Sequence, residues 1–531
     1  MTDWLATILI FLPLAGALFI WLLPVGRLAG SFALLFALTE IGFWINALGE
    51  MDFDRTSATP NFDQQWSWFS DLGVSYHVGF YAFSFWLAGL AVVVMAAAIA
   101  YGFWVGRDRP RAYFGLMLLL TSAVMGVFAS QDVFLFYVFF EAMMIPLYVL
   151  IGVWGGPGRL GATVKFVIYT MAGSLLMLAA VIVFGLKQGT FDLVESGTSD
   201  STWLFLGFAA AFAVKAPLFP FHGWLPDAYR ESSPEVAAVL SGLISKAAVF
   251  GFIRICGVKF PEPFDDWRNV FLALAAVGLV YGSLLAFRAP DVRGVIAYSS
   301  LAQMGLITIG IFAVGTLGIS GAILQAVNHG LISATLFLLA GAIERRTSTG
   351  NFDRLGGMAR GRPALATVLM ATGIIALAVP GSSAFAGEFL ILAGVFGTGW
   401  GWAVAGAAGM VLAAMYMLRL ISAVLHREPG PAVPEAALDL RPAELGILVP
   451  LVACLLTLSV WPASISDNSF PGRASATQAF RNIRIDVSRT DTYIVQGPVP
   501  SGCEEEAEAA LKQAVRRGET TVLVICSDRT E

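Results

Sequence analysis

Lys215 and Lys246 stand where hydrocarbon should exclude them. The stretch AFAVKAPLFPFHGWLPDAYRESSPEVAAVLSGLISKAAVFGFIR, residues 211 to 254, otherwise reads as membrane span. An ammonium at bilayer depth costs roughly 2.5 to 3.5 kcal/mol on insertion scales, so each lysine needs a polar path or a partner. Pro217 and Pro220 leave carbonyls of the preceding turn without donors. Hydrocarbon cannot satisfy them, so the break must be buried in protein or face a hydrated cavity. A broken helix beside an intramembrane charge is the expected form of an ion site in a transporter.

Other residues extend that chemistry. Glu141 falls halfway along DVFLFYVFFEAMMIPLYVLIGVWGGPGR, and a carboxylate at that depth needs a cation or a proton. One reading is a neutral acid bonded to a neighbouring helix. The other pairs Glu141 with Lys215, which explains two costly charges together and couples their proton affinities, as a relay requires. His329, beside Asn328, lies mid-span and suits a proton carrier. Glu388 follows Pro380 and Gly381 in AVPGSSAFAGEF, a second broken span with a buried acid. Lys165 reads either as a relay member or as a side chain snorkelling to a nearby interface. His222, between the prolines and Trp224, is either a proton carrier or a structural histidine. Tyr298, Ser299, Ser300 and Gln303 give their span a polar face suited to water or interhelical hydrogen bonds. Glu40 and Arg254 are expected near interfaces, and Ser232 and Ser233 as helix caps before Pro234.

The elements that must position these groups follow from composition. The chain has 531 residues, is 57% hydrophobic and 13% charged, and has a mean hydropathy of +0.75. No soluble globular protein approaches these values, so the expected fold is an all-α polytopic membrane protein. Apolar runs of bilayer length predict about 14 transmembrane helices: 4–24, 30–48, 79–104, 111–130, 132–154, 161–186, 202–218, 235–258, 266–287, 293–314, 318–342, 364–398, 400–426 and 443–462. The first is too long for a signal-peptide core and has no basic residue before it, so it reads as retained. Two breaks in corresponding places predict two inverted five-helix repeats. The domains are then 1–110, a three-helix segment; 111–258, the first repeat; 259–426, the second; 427–463, the last span; and 464–531, an extramembrane tail forming a small α/β module or a loosely ordered extension.

Alternate loops differ sharply in basic residues. One side holds fifteen, Arg27, Arg107, Arg109, Arg111, Arg159, Arg230, Arg288, Arg293, Arg345, Arg346, Arg354, Arg360, Arg362, Arg427 and Arg441, against four on the other, Arg55, Lys187, Lys259 and Arg268. The positive-inside rule puts both termini on the outer face. Residues 51–78 become an acidic, aromatic outer loop with a packing role. The net charge of −5 gives no indication of nucleic acid. The four cysteines lack metal-ligand spacing; Cys256 and Cys454 read as small buried residues, and Cys503 and Cys526 could form a disulfide if the tail is external.

Six motifs, FYVFFEAMMIP, KFVIYTMAGSLLML, KAPLFPFHGWLPDA, AYSSLAQMG, NHGLISATLFLLAG and PGSSAFAGEF, occur in the order found in a known family. Over residues 1–463 the chain resembles the antiporter-like membrane subunits of respiratory complex I, the proton-pumping NADH:quinone oxidoreductase. It looks most like the M-type branch, whose mitochondrial counterpart is NADH dehydrogenase subunit four, because Glu388 stands where the L, N and Mrp antiporter subunits typically carry lysine. YRESSPE and YAFS depart from the family's pattern. The resemblance implies that Glu141 and Lys215 form the carboxylate–lysine pair of the first half-channel, Lys246 the central lysine, His329 the connecting histidine and Glu388 the terminal acid. It also implies a bacterial inner-membrane location, no cofactor in this chain, and partners comprising other membrane-arm and redox subunits, protons, water and lipid. Alternatives are an Mrp-type cation/proton antiporter, a membrane-bound hydrogenase subunit, or a non-pumping spacer of the membrane arm.

Overall fold

The computed structural model describes residues 4–53, 59–436 and 438–470. The expected small α/β tail and the Cys503–Cys526 pairing lie outside these residues. The elements are α1 (Leu5–Leu22), α2 (Ala29–Glu50), β1 (Asn61–Phe69), β2 (Val74–Phe80), α3 (Ala82–Val105), α4 (Pro110–Ala129), α5 (Val133–Ala142), α6 (Met144–Trp154), α7 (Arg159–Gln188), α8 (Thr202–Lys215) and α9 (Leu225–Glu231). There follow α10 (Pro234–Val239), α11 (Ser245–Gly251), α12 (Pro261–Asp266), α13 (Arg268–Arg288), α14 (Val292–Ile311), α15 (Thr316–Thr347), α16 (Pro363–Ala376), α17 (Ser383–Phe396), α18 (Trp400–Ile421), α19 (Pro442–Val460) and α20 (Ala463–Ser466).

Twelve helices among the described residues are long and apolar enough to cross a membrane. The reading of about fourteen spans also counted 202–218 and 364–398, and these are the interrupted stretches. They hold only the shorter apolar helices α8, α16 and α17. The helical run Pro234–Gly257 and α15 are buried along their apolar 18-residue centres, whereas α2, α7 and α19 leave most residues of theirs outward. Centre and rim therefore differ in what they tolerate. Polar side chains on the two central helices face protein, where partners exist, and the rim helices present leucine and valine to lipid.

Both breaks are braced as the physics demands. Pro217 has no N–H for the Ala213 carbonyl, so the Leu218 amide donates to it instead, at 2.8 Å. That leaves the Val214 carbonyl, which accepts from Trp224 Nε1 at 3.0 Å. In the second break, Ala378 and Gly381 take left-handed backbone, with φ of 52° and 95°. Ser382 Oγ accepts from the Phe385 amide and caps α17. The Ser383 amide donates to Ser459 Oγ of α19 at 2.9 Å, and its carbonyl accepts from Asn328 Nδ2 of α15 at 2.8 Å. These bonds tie the turn to α15 and α19 rather than leaving it to lipid alone.

Four local expectations are corrected. Residues 61–80 are not a plain loop but an antiparallel hairpin, with Gln65 opposite His77 and Trp66 opposite Tyr76. Glu40 is buried on the inward stripe of α2, with both carboxylate oxygens lacking a hydrogen-bond partner. Arg254 is buried as well, donating to Gln131 Oε1, the Leu193 carbonyl and Tyr81 Oη. Ser232 and Ser233 make no side-chain cap for α10. Glu235 instead ties that helix start to Arg107 at 2.7 and 2.8 Å.

The two described ends lie at one face of the bundle. Trp4 stacks near Trp66 of the hairpin, with ring centroids 5.2 Å apart, and Phe470 stacks on Phe83 at the start of α3, at 5.6 Å. The opposite face carries the arginine pairs Arg107–Glu235, Arg230–Asp291, Arg293–Glu344 and Arg346–Glu444.

Candidate functional site

The centre of the site is a helix wound wide. Between α10 and α11, Leu240–Ile244 form a π turn, a local widening that recurs at functional positions. The Ser241 carbonyl accepts from Lys246 Nζ at 2.9 Å. Lys246 is fully buried and hydrogen-bonded to His329 Nδ1 across the helix interface, at 2.7 Å. The other face of the ring, Nε2, meets Ser300 Oγ at 3.3 Å, and Ser300 in turn shares a 2.7 Å hydrogen bond with Ser241 Oγ. Two positive charges at 2.7 Å would repel strongly in such a dry setting, so the pair suits one shared charge that moves between nitrogens.

From His329 the polar line continues toward α17. A small cavity of about 20 Å³ is lined by His329, Ser299, Gln303, Gln325 and Tyr416, among others. That is room for one or two waters, and the lining offers enough polar partners to hold them. Glu388, fully buried, accepts at Oε1 from Gln303 Nε2 (3.0 Å) and Gln325 Nε2 (3.3 Å). Gln325 Nε2 also donates to Gln303 Oε1 at 2.8 Å. The two amides fix one carboxylate oxygen and leave Oε2 without a partner among the described residues. Gly387 makes this possible, since a Cβ there would lie 2.6 Å from Gln325 Oε1.

The first half is arranged differently. Lys215 ends α8 and is 1% exposed. Its ammonium sits 4.2 Å from the centre of the Phe140 ring, 3.4 Å from the Phe140 carbonyl and 3.3 Å from the Met144 thioether. Glu141, on the same helical turn, is not within ion-pair distance of it, and its buried Oε1 has no partner. The expected pair is thus adjacent and open. The structure joins Lys246, His329, the cavity and Glu388 in one line; no direct hydrogen bond carries that line from Lys246 to Lys215.

The weaker candidates separate from the line. Lys165 pairs with Asp227 at 2.8 Å, with both side chains nearly half exposed. His222 is stacked on Phe219 with its Nδ1 unpartnered. Sequence reading missed Gln325, although it lies three and four residues before Asn328 and His329 and so shares their helix face. It also missed Tyr416, whose span offered no polar periodicity.

A family model described as the transmembrane region of NADH:quinone oxidoreductase and Mrp antiporters matches residues 130–415. That region contains every relay candidate. The chain belongs to this antiporter-like membrane-subunit family. Among its relatives, NADH-quinone oxidoreductase subunit M of Rhodobacter capsulatus is 35% identical over 500 residues, covering 90% of this chain and 97% of the relative. The subunit M of Mycobacterium tuberculosis is 36% identical over 517 residues, covering 88% and 92%. A chain of respiratory complex I from Thermus thermophilus with bound NADH superposes with a TM-score of 0.79 at 30% identity, covering 88% of this chain and 97% of that one. A chain of the Mrp complex from Dietzia shares the fold, with a TM-score of 0.77 at 21% identity. These relatives bear out the antiporter-like fold and its M-type resemblance.

Proposed function

We propose that this chain is the M-type proton-translocating subunit in the membrane arm of an NADH:quinone oxidoreductase. Its near full-length likeness to named M subunits supports the assignment, and the buried Lys246–His329 pair opening through a water-sized cavity toward Glu388 carries the chemistry. In this reading the chain moves protons, while partner subunits supply flavin, iron–sulfur and quinone chemistry. The arginine-rich face is the inner one and both termini lie outside. Residues 111–258 and 259–426 act as the two half-channels.

The chemistry is a relay. Closing the Glu141–Lys215 pair holds a proton on the lysine, and opening it releases that proton toward Lys246. His329 accepts on one ring nitrogen and releases from the other, since each nitrogen of imidazole can donate or accept. Water in the cavity then carries the proton to Oε2 of Glu388, because the glutamine amides that hold Oε1 cannot themselves relay one. Lys165 and His222 contribute at most to proton entry. Replacing Glu141 or Lys215 by an apolar residue of similar size is expected to abolish NADH-driven acidification of proteoliposomes containing the assembled complex. Unchanged proton transport by such a complex would sink the reading and favour the spacer.

A further inference from the structure

On the arginine-rich face, four of the fifteen basic side chains are neutralised by acids. Arg107, Arg230, Arg293 and Arg346 each hold a carboxylate at 2.6 to 2.9 Å. Arg27, Arg109 and Arg111 are set apart by sharing one groove without an acid. None has an acidic partner within 4 Å among the described residues. All three line one open groove of about 520 Å³ between the end of α1 and the start of α4, together with Trp21, Gly26 and Pro110. No acid lines it.

The groove is built rather than incidental. Arg111 donates through Nε to the Ile20 carbonyl at 3.1 Å and through Nη2 to the Trp21 carbonyl, which closes the last turn of α1 and fixes the guanidinium plane. Arg109 occupies a left-handed backbone position, with φ 51° and ψ 52°. Glycine or asparagine is the ordinary choice there, so the arginine is accepted against its own backbone preference. The positive end of the α4 dipole points the same way.

Beside the arginines the surface becomes apolar. Leu18 and Leu22 near the end of α1 and Leu28 just before α2, close in sequence to the groove residues Trp21 and Arg27, are 45%, 77% and 59% exposed. Guanidinium groups match phosphate oxygens by paired N–H donors, and the leucines match hydrocarbon. A free anion would use only the first half of this surface.

We propose that the groove binds the phosphate of an anionic phospholipid of the inner leaflet, held by Arg27, Arg109 and Arg111, with its acyl chains along Leu18, Leu22 and Leu28. Arg27 and Arg109 supply charge, and Arg111 supplies a fixed guanidinium. The site lies outside the proton line and does not depend on it.

The test uses the full-length chain in nanodiscs of phosphatidylglycerol and phosphatidylcholine, extracted and analysed by native mass spectrometry. The wild type is expected to retain one phosphatidylglycerol per chain in preference to phosphatidylcholine. The double variant R27Q/R109Q should retain it about tenfold to thirtyfold less, the loss of two near-surface arginine contacts. R109G removes one guanidinium while relieving the left-handed backbone, so it should fold at least as well as wild type and still bind the lipid more weakly. R268Q, on the opposite face, should change nothing. Equal retention by wild type and R109G, equal retention of phosphatidylcholine, or displacement of the lipid by inorganic phosphate would each overturn the proposal, the last by marking a free-anion site.

Discussion

Trp224 offers the sharpest test of how the break beside Lys215 is held. Its indole is 1% exposed and donates at 3.0 Å to the Val214 carbonyl, the group left over when Leu218 is diverted to serve Ala213. Substituting 3-benzothienylalanine replaces the indole N–H by sulfur and keeps the ring shape, so packing is conserved and only the donor is lost. A buried carbonyl left unsatisfied costs about 1 to 3 kcal/mol. At 1.4 kcal/mol per decade, local opening of the break should become about 5 to 150 times more frequent. Hydrogen exchange read by mass spectrometry on peptides spanning residues 210–225 reports this directly, through the Ala216 amide, which closes α8 on the Phe212 carbonyl at 2.7 Å, and the Leu218 amide, which crosses the break to the Ala213 carbonyl at 2.8 Å. Peptides from α14 serve as the internal control. Proton transport should fall in parallel, since Val214 precedes Lys215 in the chain. Unaltered exchange in 210–225 would refute the view that the indole holds the break.

Other outcomes follow from the same contacts. Lys246→Ala removes the group bonded to both Ser241 and His329; proton transport should be lost while the chain still assembles with its partners, as read by co-purification and by acidification of proteoliposomes. His77 bonds Asp192 through Nδ1 and Asp63 through Nε2. Burial opposes its charge, but the two carboxylates outweigh burial and lift it to about 9. A folded value above the unfolded one of about 6.5 stabilises fully below pH 6.5 and fades as pH rises through 9. Thermal midpoints of the wild type should therefore decline over that window, and those of His77→Gln should stay nearly flat; parallel curves would count against the clamp. Glu235→Gln strips a fully buried carboxylate from Arg107 and from the Tyr113 hydroxyl, which donates to it at 2.5 Å. Loss of about 3 kcal/mol is expected, seen as a lower unfolding midpoint.

Much of this was legible in the residues because burying charge and breaking helices are both costly. Lys215, Lys246 and Glu388 announced themselves as ionisable groups in apolar spans, and Pro217 and Pro380 as breaks. What stayed hidden needed partners from distant sequence. Gln325 becomes informative only when α15 lies against α14 and α17, so that it meets Gln303 and Glu388. Arg254 looked like an interface anchor by its place in the span, yet Gln131, Leu193 and Tyr81 converge on it from three other segments. The hairpin is short and its burial pattern mixed, so strand periodicity was weak, and His77 gave no signal without Asp63 and Asp192 beside it. Glu40 was placed by its distance along the helix, whereas its exposure depends on which stripe of α2 faces inward.

The separation of Lys215 from Glu141 follows from how Lys215 is housed. Its contacts are a ring face, a long carbonyl hydrogen bond and a thioether, each weaker than the carboxylate one residue away. Phe140 and Met144 flank Glu141 on the same helical turn, so the ammonium already rests on the element that carries its counterion. The same stretch is broken at Met143, where α5 gives way to α6. A buried ion pair that loses its geometry is penalised by several kcal/mol, while a lysine supported by a thioether and a ring loses less on opening. Those two states are therefore closer in energy than they would be around an unsupported lysine. The relay proposed above needs that near balance, because a pair locked shut would hold its proton and a pair fixed open would never load one.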